Sequence, residues 1–387
     1  MIRYGKHYID LNDKKELIKS ISSDWITQGP LINKFERKLN LFFGSNYCTV
    51  LSSGTAALHI AMLSFVKKND IILTTPNSFI ATANCIVYAN GIPDFVDINE
   101  LNYTIDVAKL EDKIKFYKKN GKKISAVIST DYAGHPSDWK ELRYLANKYN
   151  FKLINDNCHS LGSKYLNNEK YAIKYADIVT QSFHAVKNIT TGEGGAIITN
   201  NKKLDNLFKK LRTHGVVKDN KLFEKKSHGP WYYEMNQLGY NYRITDFQCA
   251  LGISQLKKIK KIIKYKNKIA EIYNKLFDND KNFIVPNVKN KCYHSYHLYP
   301  LQINFDNRKK SKKNLFNFLE LKKIKLQVHY IPIHLQPYYR KKYKFKNNDF
   351  PIAEKFYKRE ISLPIYYNLK FKDVYNVAKS IKLFINK

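Results

Sequence analysis

Between Tyr47 and Asn200 the chain alternates short β-rich runs with stretches whose apolar residues recur at helical spacing, and this alternation narrows the possible folds more than any other feature. The β-rich runs predict strands over Tyr47 to Leu51, Ile71 to Thr74, Asp94 to Ile98, Ile124 to Thr130, Phe151 to Asn155 and Ile178 to Phe183. Helices are predicted between them over Thr55 to Val66, Phe79 to Ala89, Asp106 to Tyr117 and Pro136 to Tyr149. Strand, helix and strand repeated in this way make an α/β fold with a largely parallel sheet covered on both faces. Ligands of such sheets lie beyond the carboxyl ends of the strands. After Thr245 the texture changes to a long helical stretch running through Gln255 towards Phe277, then strand-like pieces (Tyr296 to Phe305, Lys325 to Tyr330) and short helices. That pattern predicts a domain boundary near residue 255, separating a large domain (1–255) from a smaller α+β domain (256–387).

Charge is the other conspicuous feature: 67 Lys+Arg against 33 Asp+Glu give a formal +34 over 387 residues. Only eight of the basic residues are Arg, the side chain that forks onto phosphates and base edges, so a dedicated nucleic-acid role is not expected. No Lys or Arg occurs between Asn69 and Ala108, which indicates that the charge decorates solvated surface and spares segments that must be buried. The run Lys309 to Lys313 reads as a solvated loop or helix start. Five scattered cysteines, with no CxxC pair, read as reduced thiols of a cytoplasmic protein. Neither a signal-like apolar segment in Met1 to Asp10 nor an apolar run near the roughly 20 residues of a membrane helix is present.

Three strand ends carry the chemistry. Ser182 closes one predicted strand and leads into a turn with Lys187, followed by Gly192, Gly194 and Gly195 and a further apolar strand. Most lysines are simply solvated, but one held at a strand end among Phe183, Ile189 and glycines is partly desolvated. Desolvation lowers its pKa and frees the amine to attack a carbonyl. Upstream, the strand from Phe151 presents Asp156 and His159 at its carboxyl end. An Asp there serves either as a turn or cap residue or as the partner of a protonated pyridine nitrogen. Finally, Leu51-Ser-Ser-Gly-Thr-Ala-Ala-Leu58 is a strand, a turn and a helix start, where free N–H groups and Gly54 suit a phosphate. No nucleotide loop of the Gly-x-x-x-x-Gly-Lys-Ser/Thr kind and no dinucleotide Gly-x-Gly-x-x-Gly follows the first strand.

These runs, SFHAVKNITTGEGGAIITN, SSGTAALH, TPNSFIATANC, NDNCHSLGSKY and LGYNYRITDFQCALGISQLK, closely resemble the DegT/DnrJ/EryC1/StrS family of pyridoxal-phosphate-dependent sugar aminotransferases, and the resemblance spans essentially the whole chain. It implies the aspartate-aminotransferase-like fold (fold type I) with pyridoxal 5'-phosphate as cofactor, and homodimers whose active sites lie at the subunit interface. By that resemblance Lys187 is the Schiff-base lysine, Asp156 the pyridinium partner, Ser182, Gly54 and Thr55 phosphate ligands, and Phe79 the residue stacked on the cofactor ring. His159 falls near the ring, and Asn241 reaches the cofactor phosphate of the other subunit. SDWITQGP, GPWYYEMNQLGYNYRITD, VHYIPIHLQPYYRKKYKF and FPIAEKFYKREISLPIYYNL look most like members acting on a UDP-linked 4-keto-6-deoxy-N-acetylhexosamine in pseudaminic acid biosynthesis, with L-glutamate as donor. They point to Tyr4, Trp25, Ile26, Thr27, His329, Tyr330, Ile331 and Tyr339 as sugar contacts.

Relatives that remove a hydroxyl carry His in place of the lysine, so Lys187 excludes that branch; His184, three positions earlier, reads either as structural or as a support for a neighbouring site group. No metal is expected, because His294 with His297 and His329 with His334 lack an acidic or Cys residue to complete a ligand set.

Overall fold

The structure, a computed structural model, describes residues 1–305 and 310–386. Seven strands form its main sheet: β1 (Tyr47–Leu51), β2 (Ile71–Thr74), β3 (Ile92–Phe95), β4 (Ile124–Thr130), β5 (Lys152–Asp156), β6 (Ile178–Ser182) and β7 (Gly195–Thr199). Their spatial order is β1-β7-β6-β5-β4-β2-β3, and all neighbours pair in parallel except β7, which opposes both β1 and β6. The link from β6 to β7 contains no helix; Phe183 N–H donates to the Gly194 carbonyl at 2.8 Å and carries the ladder around the turn. A chain that turns back without a crossover helix can only pair antiparallel.

Alternate residues of each strand feed opposite faces, as the pleat requires. Val50, Leu73, Val127, Leu153 and Ile198 join one buried cluster with Phe35, Trp139 and Phe183. Leu51, Ile72, Ile128, Ile154 and Ile197 join another, built on the helix Gly54–Leu63. That helix is largely apolar because most of it is buried, Ala56 to Met62 throughout. The C-terminal part holds a second, antiparallel sheet of Phe283–Ile284, Tyr299–Ile303 and Glu360–Leu363, packed with the helix Phe371–Asn386. The helix Ile259–Phe277 joins the two parts: Ile259 and Ile263 belong to the large core, Ile269, Tyr273 and Phe277 to the small one.

Three expectations change in detail. The strand predicted over Asp94 to Ile98 is Ile92–Phe95, since its partner β2 ends at Thr74 and Asp97 instead receives the amides of Ile98, Ile352 and Ala353. The single long helix is two, Asp246–Leu256 and Ile259–Phe277, and at the break Lys258 pairs with Asp10 at 2.9 Å and with Asp13. Lys325 to Tyr330 makes only one bridge, Gln327 to Ser362, because the next ladder donor, His329 N–H, is taken by the Glu360 side chain at 3.0 Å. Of the basic run, Lys309 lies outside the described residues, while Ser311 caps the helix Lys312–Leu321. Among the described residues no helix is long and apolar enough to cross a membrane.

The ends of β4 and β5 are tied by one buried carboxylate. Asp131 accepts from Ser137 N–H (2.7 Å), Trp139 Nε1 (2.9 Å), Asn155 Nδ2 (3.3 Å), Asn157 Nδ2 (2.9 Å) and the Tyr171 hydroxyl (2.6 Å). Burial pushes its pKa up to about 6 despite these donors. Asp131→Ala strands five buried donors and is expected to destabilise the fold by about 3 kcal/mol or more. Thermal unfolding of the cofactor-free protein checks this; an unchanged midpoint would show that the hub is dispensable.

Candidate active site

The carboxyl ends of β4, β5 and β6 and the N-terminus of the helix Gly54–Leu63 open on one cavity of about 660 Å³. Thr130, Asp156 and Ser182 end the three strands and all line it. Its volume falls within the range for small-molecule sites.

Asp156 is buried and fixed from two directions: Thr82 Oγ1 donates to Oδ2 at 2.7 Å, and Cys158 N–H to Oδ1 at 3.3 Å. The second bond is the turn role, so Asp156 serves the turn and the cavity together. Thr82 is held by Ser78 (2.7 Å), which reaches Thr130 Oγ1 (3.0 Å), so a chain of hydroxyls ties the carboxylate to the neighbouring strand.

Lys187 sits in the turn after β6, where its N–H donates to the His184 carbonyl at 2.9 Å. Burial pushes its amine below the ordinary lysine value, while the Asp156 carboxylate pulls the other way. The Cys158 thiol is pushed up by its own burial and is therefore neutral.

Gly54 lies hard against Ser182: a Cβ on it would stand 2.7 Å from the Ser182 Cβ. The helix cap Ser53 occupies the Ala56 N–H, leaving the Gly54 and Thr55 amides at the helix start, next to the Ser182 hydroxyl. Amides at a helix N-terminus beside a hydroxyl form a site for an anionic oxygen group.

The opposite wall is aromatic. Phe79 is 52% exposed, with its ring centroid 5.8 Å from that of Tyr330. His159 accepts the Ala133 N–H at Nδ1 (3.3 Å), and its Nε2 is 3.0 Å from the Tyr330 hydroxyl. Burial, with Lys187 nearby, holds His159 well below its usual pKa, so it is neutral. Tyr4 packs on His329 at 5.3 Å between centroids.

Of the residues expected from the sequence, Tyr4, Gly54, Thr55, Phe79, Asp156, His159, Ser182, Lys187, His329, Tyr330 and Ile331 share this cavity. The remaining five lie elsewhere in the chain's own fold. Trp25, Ile26 and Thr27 are exposed on a segment bridged to Thr245, and Asn241 is exposed and bridged to Thr213. Tyr339 is packed away from the cavity: it is buried beside Phe95 and Tyr343, with its hydroxyl on Asn84 Oδ1 at 2.6 Å.

Thr82, Ser78 and His297 were not anticipated as site residues. Ser78 and Thr82 are one helical turn apart in sequence, a spacing that hints at their bond. The sequence pairs His297 with His294, yet His297 packs on His159 (4.4 Å) and His294 on Tyr296 (4.0 Å). Lys266 gives no sequence signal within its Lys-rich helix. It is buried, donates to Asn188 Oδ1 at 2.9 Å, and has its pKa lowered to about 7, first by burial.

The model of the DegT/DnrJ/EryC1/StrS aminotransferase family matches residues 7–382. The UDP-4-amino-4,6-dideoxy-N-acetyl-beta-L-altrosamine transaminase of Campylobacter jejuni is 37% identical over 99% of this chain and 96% of its own. Among solved structures, Helicobacter pylori PseC, an aminotransferase involved in the biosynthesis of pseudaminic acid, superposes with a TM-score of 0.89 at 32% identity, covering 98% of both chains. A putative sugar aminotransferase of Streptococcus pneumoniae in its PMP form gives 0.87 at 25% identity, covering 99% of this chain and 98% of its own.

A lysine whose pKa is lowered by burial carries more free amine at mildly alkaline pH than a solvated one. In the cofactor-free protein, limited reductive methylation at pH 8 is expected to label Lys187 ahead of exposed lysines such as Lys341, as read by peptide mass spectrometry. Labelling of Lys187 at the same rate and with the same pH profile as Lys341 would refute the desolvated amine.

Proposed function

This chain belongs to the DegT/DnrJ/EryC1/StrS aminotransferase family, and from that premise we propose that it transfers the amino group of L-glutamate to C4 of UDP-2-acetamido-2,6-dideoxy-β-L-arabino-hexos-4-ulose. The product is UDP-4-amino-4,6-dideoxy-N-acetyl-β-L-altrosamine, an intermediate of pseudaminic acid biosynthesis. It is an aminotransferase that uses pyridoxal 5'-phosphate. The observation that carries the reading is the meeting of Lys187, the anchored Asp156 and the Gly54/Ser182 cradle in one cavity. Near-full-length identity of 37% to the altrosamine transaminase supports the choice of sugar.

The residues fit the cofactor. Its phosphate suits the helix start at Gly54 and Thr55 with Ser182, its ring nitrogen suits Asp156, its ring suits the exposed face of Phe79 with His159 alongside, and its carbonyl suits Lys187. When bound, pyridoxal phosphate supplies an electron sink that stabilises negative charge on the carbon losing a proton. Lys187 is the proton carrier: its amine removes the Cα proton of glutamate and later delivers a proton to C4 of the sugar. A lysine with a lowered pKa is suited to both roles near neutral pH. Asp156 contributes a fixed negative charge, and Thr82 holds that carboxylate in place.

In this proposal the working unit is a cytoplasmic homodimer, with the division near residue 255 separating the cofactor domain from the smaller one. Asn241 reaches the partner's cofactor phosphate, and Trp25, Ile26 and Thr27 act across the same junction. Support comes from the neighbouring stretch, where Trp231, Tyr233, Met235 and Leu238 are each more than half exposed, large apolar side chains suited to a covered interface. The +34 charge gathers glutamate and diphosphate anions, an effect that weakens with salt.

The decisive assay is NMR of the product formed from L-glutamate and each C5-epimeric UDP-4-keto-6-deoxy-HexNAc, with UDP-4-keto-pentose and GDP- and dTDP-4-keto-6-deoxyhexoses alongside. Only the L-arabino epimer is expected to be aminated at C4; exclusive use of another sugar would replace the proposed substrate. Lys187→Ala is expected to abolish turnover. Thr82→Val should lower kcat/KM about tenfold, the ~1.5 kcal/mol of one hydrogen bond to a carboxylate.

A further inference from the structure

The cavity wall at His329 is held by a chain of hydrogen bonds that the reaction outlined above does not use. The His329 N–H donates to Glu360 Oε2 at 3.0 Å, and its carbonyl accepts the Tyr132 hydroxyl. Its Nδ1 lies 2.8 Å from Ser362 Oγ, and Ser362 Oγ lies 2.5 Å from Glu360 Oε1. Glu360 and Ser362 are fully buried on the strand Glu360–Leu363, and His329 lines the cavity. Among the described residues, His329 Nε2 has no hydrogen-bond partner in the chain.

We propose that Ser362 and Glu360 are positioning residues that hold His329 as its Nδ1–H tautomer, so that Nε2 faces the cavity as an acceptor for a hydroxyl or amide N–H of the sugar. This rests on the reading of the cavity as a nucleotide-sugar site. The polarity follows from counting protons. An ionised carboxylate only accepts; the His329 amide fills Oε2, so Oε1 takes the single proton of Ser362. Ser362 Oγ then has only a lone pair to offer the ring, and the ring must bring the hydrogen on Nδ1. His329 is neutral, because burial and Lys187 push its pKa down to about 3.

Burial raises the Glu360 pKa, with Lys312 on the neighbouring helix opposing the rise. Both of its carboxyl oxygens accept, one from the His329 N–H and one from the Ser362 hydroxyl, which is the pattern of the carboxylate, and pH 8 favours that form. Tyr330 has the complementary polarity. His159 accepts the Ala133 N–H at Nδ1, so its Nε2–H donates to Tyr330 and leaves the tyrosine proton free. Consecutive residues thus offer the sugar one acceptor and one donor. A polar pattern of this kind discriminates between sugars that differ in a hydroxyl or an amide, because a mismatch leaves a buried group unpaired.

Glu360→Gln gives a directional test. The His329 amide still needs an acceptor, so the Gln carbonyl stays at that position and its NH₂ faces Ser362. Ser362 must then turn its proton onto Nδ1, which moves the ring hydrogen to Nε2. Long-range ¹H–¹⁵N NMR of ¹⁵N-histidine-labelled enzyme at pH 8 without substrate, with His329 identified by its loss in His329→Gln, is expected to show Nδ1–H in the wild type and in Ser362→Thr. Nε2–H is expected in Glu360→Gln. In assays the latter variant should raise KM for the keto-sugar about tenfold while leaving KM for glutamate unchanged. An Nε2–H wild type, a Glu360→Gln spectrum like the wild type, or a switched tautomer without a change in sugar KM would each overturn the proposal. If Glu360→Gln fails to fold, the wild-type and Ser362→Thr spectra decide. Because the spectra are recorded without sugar, a wrong choice of sugar appears only in the assay and leaves the tautomer result standing.

Discussion

The buried carboxylate of Asp131 is the constraint on which the site depends. Its five donors come from the carboxyl end of β5, the start of the helix Trp139–Tyr149 with the loop before it, and Tyr171, and all five residues are buried. The residues that follow pass this rigidity into the cavity. The Tyr132 hydroxyl holds the His329 carbonyl, the Ala133 N–H holds His159, and the Gly134 carbonyl accepts from Ser163 and from the Ser295 amide. Gly134 has φ +104°, and a Cβ there would stand 2.5 Å from Ser295 Oγ, so only glycine fits the turn. One short loop therefore fixes both His159 and His329 on the cavity wall.

A chain so rich in lysine has to distinguish one amine from the rest, and it does so by position. Most of the positive charge lies on solvated surface, where water screens it. Lys187 sits on a turn between two strands of the main sheet, against Cys158 and Asp156, where desolvation lowers its pKa. The histidines show the same physics: burial holds His159, His297 and His329 neutral, so they act as hydrogen-bonding groups and not as charges.

Much of the cavity wall formed by the strand ends is legible in the sequence, because its signals are local. Lys187, Ser182 and the glycines lie in one run, Asp156 and His159 in another, Gly54 and Thr55 in a third, and each follows a strand whose pattern is readable. The facing wall is less legible. Tyr339 reads as a sugar contact in the sequence but is packed on Phe95, whereas nothing local in the sequence joins Thr82 to Asp156 or His297 to His159. The segment Lys325 to Tyr330 has the composition of a strand, yet Glu360 captures its amide and turns it into cavity wall.

By itself the sequence determined the alternation of strands and helices, the mainly parallel sheet and the strand ends at which reactive groups stand, because pleat, helical period and turn chemistry act over a few residues. Tertiary structure alone decided which side chains meet across the cavity, which tyrosine is core and which is wall, and the hydrogen-bond polarity of His329. Those outcomes depend on contacts between residues far apart in the chain, Thr82 with Asp156, Tyr132 with His329 and Ala133 with His159. Burial makes each bond obligatory there, and no local pattern encodes the pairing.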